Sequence, residues 1–263
     1  MNIGLVLSGG GMRGAAHIGV IKALEEYGIV PTHIAGTSAG AIVGALYAYG
    51  FKSQEILEFF SGIQILDITK YAIKKPGFID TEKFYPHFKK YLIRDDFSAL
   101  SKKLYITATD ILKGKLKVFS SGELIKPVLA SAAFPGVFAP VGINGSFYID
   151  GGVIDNFPVA TIKEECDLII GVYANGVQDI GMQDLKHSYN VVEQAFKLKA
   201  FKEDMAKFKA CDLLIHPKGI SHFGTFDKKN IMKIFKMGYE QAVKVLENKE
   251  NEAVEPLLNS RNS

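Results

Sequence analysis

Cysteine is scarce: Cys166 and Cys211 are the two in 263 residues. Their spacing is that of neither metal ligands nor a redox pair, so both read as buried packing residues. Charge of one sign is also lacking. A formal net charge of +3 is too small to argue for a nucleic-acid partner, and is compatible with transient contact at an anionic membrane surface. No apolar run is long enough to span a bilayer; the most apolar window is Ala35 to Phe51. The N-terminus lacks a basic stretch followed by an apolar run and a cleavage site, and Met1 leads straight into an apolar segment. No removable leader is therefore expected, and the expected location is cytoplasmic, with at most peripheral membrane contact. Internal repeats and linkers are absent. An apolar content of 48% and a charged content of 22% suit one globular domain over 1–263.

The most informative stretch present is Gly36-Thr37-Ser38-Ala39-Gly40. An apolar run precedes it (Thr32 to Ala35) and a helical run follows it (Ala41 to Tyr49). A serine at such a strand-to-helix turn is held in strained backbone geometry with its hydroxyl pushed outward. The helix beginning there aims free N–H groups and its positive dipole end at the reacting oxygen. Gly36, Gly40 and Gly44 read as sites of close helix–strand packing.

A second strand-turn-helix unit opens the chain. Ile3 to Leu7 reads as a buried strand, Ser8 to Gly14 as a glycine-rich loop, and Ala15 to Tyr27 as a helix. Successive glycines free a row of backbone donors, as stabilisation of an oxyanion requires. Far downstream, Phe147 to Gly152 places an aspartate, Asp150, at the end of a short strand before Gly151 and Gly152.

These three elements, in this order, resemble the patatin-like phospholipase family. Ala130 to Gly136 and Asp155 to Pro158 are similar to the segments that flank the family's aspartate. The resemblance implies a three-layer α/β/α fold with a mainly parallel central sheet. It also implies a two-residue catalytic pair without histidine: Ser38 as nucleophile and Asp150 as base. Gly9, Gly10, Gly11 and Met12 would form the oxyanion hole, within a motif that includes Arg13 and Gly14. The implied substrate is a lipid or other acyl ester, and the chemistry calls for neither metal nor organic cofactor.

The residues alone leave other readings open. Gly9, Gly11 and Gly14 also fit G-x-G-x-x-G, the dinucleotide fingerprint. That site wants a carboxylate at the end of the second strand, where this chain has Ala35 to Ser38. A Ser-Asp-His triad is the second alternative, with His216 or His222 following Ser38 and Asp150 in order. A third is a scaffold that keeps the fold without activity. Arg13 reads as a structural residue binding carbonyls or a carboxylate behind the loop. Asp110 reads as a turn residue, and His17 and His33 as packing or turn residues.

Residues 51–96 form an insertion rich in aromatics and lysine, including Phe59, Phe60, Tyr71, Phe78, Phe84, Phe88, Lys70, Lys74 and Lys75. It is read as a helical insertion with its own small core, or as a cover over the acyl site. Helices are expected at 53–61, 81–92 (interrupted by Pro86), 123–133, 158–164, 187–209 and 228–248, with a frayed tail from Lys249. Strands are expected at 103–110, 115–120, 168–173 and 213–215. Asn144-Gly145 signals a hairpin.

Overall fold

The computed structural model describes residues 1–63, 72, 76–248 and 250–259. The sheet is built on β1 (Ile3–Leu7), β2 (His33–Thr37), β3 (Lys103–Asp110), β7 (Leu168–Val172) and β8 (Leu213–Ile215). These pair parallel in the order β3-β2-β1-β7-β8. Three antiparallel strands complete it: β4 (Lys115–Phe119), β5 (Val141–Ile143) and β6 (Ser146–Asp150).

The parallel strands are continuous apolar runs because both of their faces are covered. Leu5, Leu7, Ile34, Ile170 and Val172 face a large cluster. Around it pack α1 (Ala15–Glu26), α2 (Ala39–Tyr49), α3 (Ser53–Gly62), α5 (Ile125–Ser131) and α7 (Ile231–Leu246). Tyr27 and Tyr239 tie the first of these to the last through Glu247 and Glu26. Val6, Ala35, Ile169 and Tyr173 face a smaller cluster with Phe157, Val159 and Ile162, edged by α6 (Ser188–Met205). The result is a three-layer α/β/α fold.

β3 organises the site. Its residues Ile106 to Asp110 pair on one edge with β4. On the other edge, Lys103 to Thr107 pair with β2 and Ala108 to Asp110 with β6. Because β2 runs parallel and β6 antiparallel to β3, their C-terminal ends meet head to head. Thr37 is the partner of Thr107, and Asp150 the partner of Ala108.

Several local expectations need correction. The stretch expected as a helix over 81–92 divides next to Pro86, into a 3-10 turn (Thr81–Phe84) and the shorter α4 (Tyr85–Lys89); Pro86 sits in the first turn of α4, where its missing N–H costs nothing. Residues 158–164 make two short 3-10 turns rather than a helix, because Val159 and Ile162 are pulled into the smaller core cluster. The tail carries α8 (Val254–Asn259), held by buried Val254 and Leu257. Cys166 and Cys211 are half-buried rather than buried, each just ahead of a strand. The expected hairpin is present, with Asn144 and Gly145 at φ 48 and 79. Asp110 does cap a turn, accepting from the N–H groups of Leu112 and Lys113. Lys70, Tyr71, Lys74 and Lys75 of the insertion lie outside the described residues. Among its described aromatics, Phe59, Phe60, Phe84 and Phe88 are buried, while Phe78 is exposed.

Candidate active site

Ser38 lies between β2 and α2 with φ 55 and ψ −120. A non-glycine residue there stores roughly 1–3 kcal/mol of strain and needs firm support. The support is specific. Its N–H donates to Ser131 Oγ at 2.8 Å, and its carbonyl accepts from Ala41 and Ile42 at 3.0 and 3.1 Å. Next to it, Thr37 Oγ1 shares a 2.6 Å hydrogen bond with Thr107 Oγ1 and donates to Asp155 O. Gly36 and Gly40 allow the turn: a Cβ on Gly36 would stand 2.6 Å from Gly40 O, and one on Gly40 2.2 Å from Leu7 O. Either side chain would force α2 away from the sheet.

Asp150 ends β6 and is 5% exposed. Its carboxylate lies near enough to the Ser38 hydroxyl to be influenced by it, and accepts from the Gly152 N–H at 2.8 Å. Burial raises its pKa from the ordinary 3.8 to about 6, against the opposing effects of the Ser38 hydroxyl and the Gly152 N–H. Gly151, next in the chain, lies against the Thr107 carbonyl.

The glycine loop runs beside this pair. Gly9 N–H donates to Asn156 O at 3.0 Å and Met12 N–H to Thr225 O at 2.7 Å. The N–H groups of Gly10 and Gly11 have no acceptor among the described residues. Gly11 takes φ 59, a left-handed conformation suited to glycine. Gly14 packs under Ala39. Arg13 donates to Phe223 O at 3.0 Å and Thr225 Oγ1 at 3.3 Å. It is 2% exposed, and burial lowers its pKa to about 10 despite the nearby Glu193.

Ser38, Asp150 and the loop share one cavity of about 150 Å³. Ile42, Phe60, Phe84, Leu129, Phe134 and Phe226 give it apolar walls, and Glu193, Lys197 and Thr225 a polar end. No histidine lines it among the described residues. His216 Nε2 bonds Asn175 O at 3.0 Å with its ring on Tyr173. His222 is exposed and bonds Gly219 O. His17 is buried against Ser8 O, and desolvation lowers its pKa to about 4.

Sequence reasoning assigned no role to Ser131, Asn156 or Asp204. Asn156 accepts from Gly9 through its carbonyl and donates through Nδ2 to Asp204 Oδ2 at 2.8 Å. Tyr173 OH reaches the same oxygen at 3.0 Å, while Lys207 bridges Asp204 Oδ1 and Asp155 Oδ1 at 3.3 and 2.7 Å. Burial pushes the Asp204 carboxyl up, against these bonds. A buried polar network of this kind fixes the loop because every member is paired.

Comparison with known proteins finds relatives in sequence and in fold. The family model described as patatin-like phospholipase matches residues 5–162. A lysophospholipase NTE1 of Coccidioides immitis is 29% identical over 97% of this chain and 18% of its own length. An uncharacterized NTE family protein of Mycobacterium tuberculosis is 36% identical over 66% of this chain and 49% of its own. The chain thus spans half or less of these curated relatives. Among solved structures, VipD from Legionella pneumophila has a similar fold, with TM-score 0.54 and 17% identity over 99% of this chain and 67% of that one.

Proposed function

We propose a lipid acyl hydrolase, on a premise that is itself a finding: the chain belongs to the patatin-like phospholipase family. Ser38 is the nucleophile and Asp150 its base. The observation that carries this reading is that Ser38, held strained at its elbow, shares one cavity with the buried Asp150 carboxylate, whose pKa burial raises to about 6. A carboxylate of ordinary pKa is a poor base for a serine; desolvation makes it a better one.

The reaction is acyl transfer in two halves. Ser38 Oγ attacks the ester carbonyl while its proton passes to Asp150. The N–H groups of Gly10 and Gly11, free of other acceptors, receive the developing oxyanion. Gly9 and Met12, expected to donate as well, have their N–H groups committed elsewhere and serve to hold the loop. The intermediate collapses, and Asp150 returns the proton to the departing alcohol. Water then attacks the acyl-serine with Asp150 again as base, releasing the acid and restoring Ser38. The apolar walls favour an acyl chain over a polar substrate. Long-chain esters reside in aggregates, so contact with a lipid surface belongs to the reading.

We read 1–263 as one hydrolase domain with 51–96 inserted between nucleophile and β3. Parts beyond the matched region support this: β8 extends the sheet, and Thr225 and Phe226 line the cavity. The test is a panel of acyl esters and lysophospholipids assayed with wild type and Ser38→Ala. Hydrolysis that disappears in the variant supports the reading; hydrolysis retained in full by the variant refutes it.

A further inference from the structure

The segment that follows β7 runs along the glycine loop. Tyr173 N–H donates to Ile215 O at 3.0 Å and Ala174 N–H to Ser8 Oγ at 2.9 Å, so neighbours on both sides hold it. Ala174 O lies against Gly10, 2.7 Å from where a Cβ on that glycine would stand. The next residue is Asn175. It is 6% exposed and lines the Ser38 cavity together with Gly10 and Gly11. Its side chain is unspent: Oδ1 is buried without a partner, and the amide makes no hydrogen bond among the described residues. Of the side chains that carry a buried unpaired polar atom, Arg13 and Asn175 line the cavity. Arg13 leaves Nε unpaired while its other nitrogens hold Phe223 O and Thr225 Oγ1. The Asn175 amide holds nothing.

A buried amide without a partner destabilises the fold, and its place in a cavity wall points to a ligand that completes it. On the neighbouring loop the Gly10 and Gly11 N–H groups are also without acceptors. We propose that Asn175 supplies a third donor, its side-chain NH2, to the oxyanion formed when Ser38 attacks the ester. The proposal rests on the acyl-hydrolase reading and adds a residue to its machinery. As the bond from Ser38 Oγ to the carbonyl carbon forms, the π pair moves onto the carbonyl oxygen and the Ser38 proton passes to Asp150. The new charge then meets three donors rather than two. A hydrogen bond to an ionised oxygen is about twice as strong as one to a neutral carbonyl, so the amide favours the transition state over the bound ester. A donor already in place at the moment of reaction costs no reorganisation.

The experiment compares wild type, Asn175→Ala and Asn175→Asp on the ethyl and 2-hydroxyethyl esters of one short acid. Thermal melts and inhibition by an alkyl trifluoromethyl ketone are measured in parallel. That ketone takes Ser38 Oγ into a tetrahedral adduct with an ionised oxygen, whereas an alkyl alcohol of the same length fills the cavity without forming one. Asn175→Ala should lower kcat about 100–1,000-fold on both esters with KM little changed. Affinity for the ketone should fall by a similar factor and affinity for the alcohol should not. Asn175→Asp keeps the shape but replaces the donor with a carboxylate, and should lose at least as much. The melting temperature of Asn175→Ala should equal or exceed that of wild type, because an unpaired buried amide is removed. Unchanged kcat and ketone affinity in both variants overturn the proposal. So does a loss of activity that travels with a lower melting temperature and weaker alcohol binding, which would make Asn175 a structural residue. A loss confined to the 2-hydroxyethyl ester, with ketone affinity intact, overturns it too, since Asn175 would then read the leaving alcohol. A wild type that neither hydrolyses an ester nor binds the ketone overturns the acyl-hydrolase reading itself, and the proposal with it.

Discussion

Ser38 and Asp150 stand at the facing ends of two strands that share one edge of β3. Thr37 pairs with Thr107 and Asp150 with Ala108, so adjacent β3 residues set the spacing of nucleophile and carboxylate. The juxtaposition of hydroxyl and carboxylate follows from sheet register rather than from a flexible loop. Catalytic pairs held on rigid elements keep their geometry through the reaction.

Ser131 anchors the strained elbow through the Ser38 N–H. Ser131→Ala leaves that donor unpaired, at a cost of about 1–3 kcal/mol. Turnover is expected to fall with little change in KM, because the hydroxyl is misplaced while the cavity walls stay. Ser131→Thr, which keeps an acceptor, should recover part of the rate; steady-state kinetics on one soluble ester checks both.

Gly10 and Gly11 carry the free donors. Loss of one oxyanion donor costs about 100–1,000-fold in rate. A Cβ on Gly10 would stand 2.7 Å from Ala174 O, and one on Gly11 2.3 Å from Thr225 O. Gly10→Ala and Gly11→Ala should therefore displace the donors and lose activity by that factor or more, with thermal melts measuring the stability lost to the same clashes. Unchanged turnover in both would move the oxyanion site elsewhere.

The aromatic insertion divides into two kinds of residue. Phe84 lines the cavity, whereas Phe59 does not, packing on His87, Phe88 and Tyr91 behind its wall. Phe84→Ala should shift preference among ester chain lengths. Phe59→Ala should cost about 3–5 kcal/mol of stability and leave the chain-length ranking alone. Kinetics across a chain-length series, with denaturant melts, separates the two. Equal shifts in ranking from both variants would remove the distinction.

The sequence carried the parts of this site whose chemistry is local. A serine between Gly36 and Gly40, three glycines after an apolar strand, and Asn144-Gly145 each demand a particular backbone. The long-range pieces left no such trace. Nothing near Asp150 tells that it will pair beside Ala108, 42 residues earlier. Ser131 looks like any small helical residue until Ser38 N–H reaches it. Asp204 reads as one more charge on a polar helix, yet it is buried under Asn156 and Tyr173.

Burial of Asp150 also bears on stability. Its folded pKa of about 6 exceeds the ordinary 3.8, so the folded state favours the protonated form. Its contribution is fully stabilising below about pH 4 and is lost as pH rises through about 6. Asp150→Asn should therefore be more stable than wild type at about pH 8, by on the order of 1–3 kcal/mol, with the gap closing in acid. Urea melts at the two pH values test this. A variant less stable than wild type at high pH would show that the carboxylate is not strained by burial. Wild-type activity should correspondingly fall as pH drops through about 6, where Asp150 becomes protonated.

The most direct test of the two-residue mechanism is turnover of a soluble acyl ester by Ser38→Ala, Asp150→Asn, the double variant and His216→Ala. In the proposed mechanism the two residues act as one unit, so each single change should cost nearly as much as both together. His216→Ala should keep most of its activity, since that ring bonds Asn175 O and does not line the cavity. An active Asp150→Asn alongside an inactive but folded His216→Ala would contradict the account and put a histidine in the place of the base.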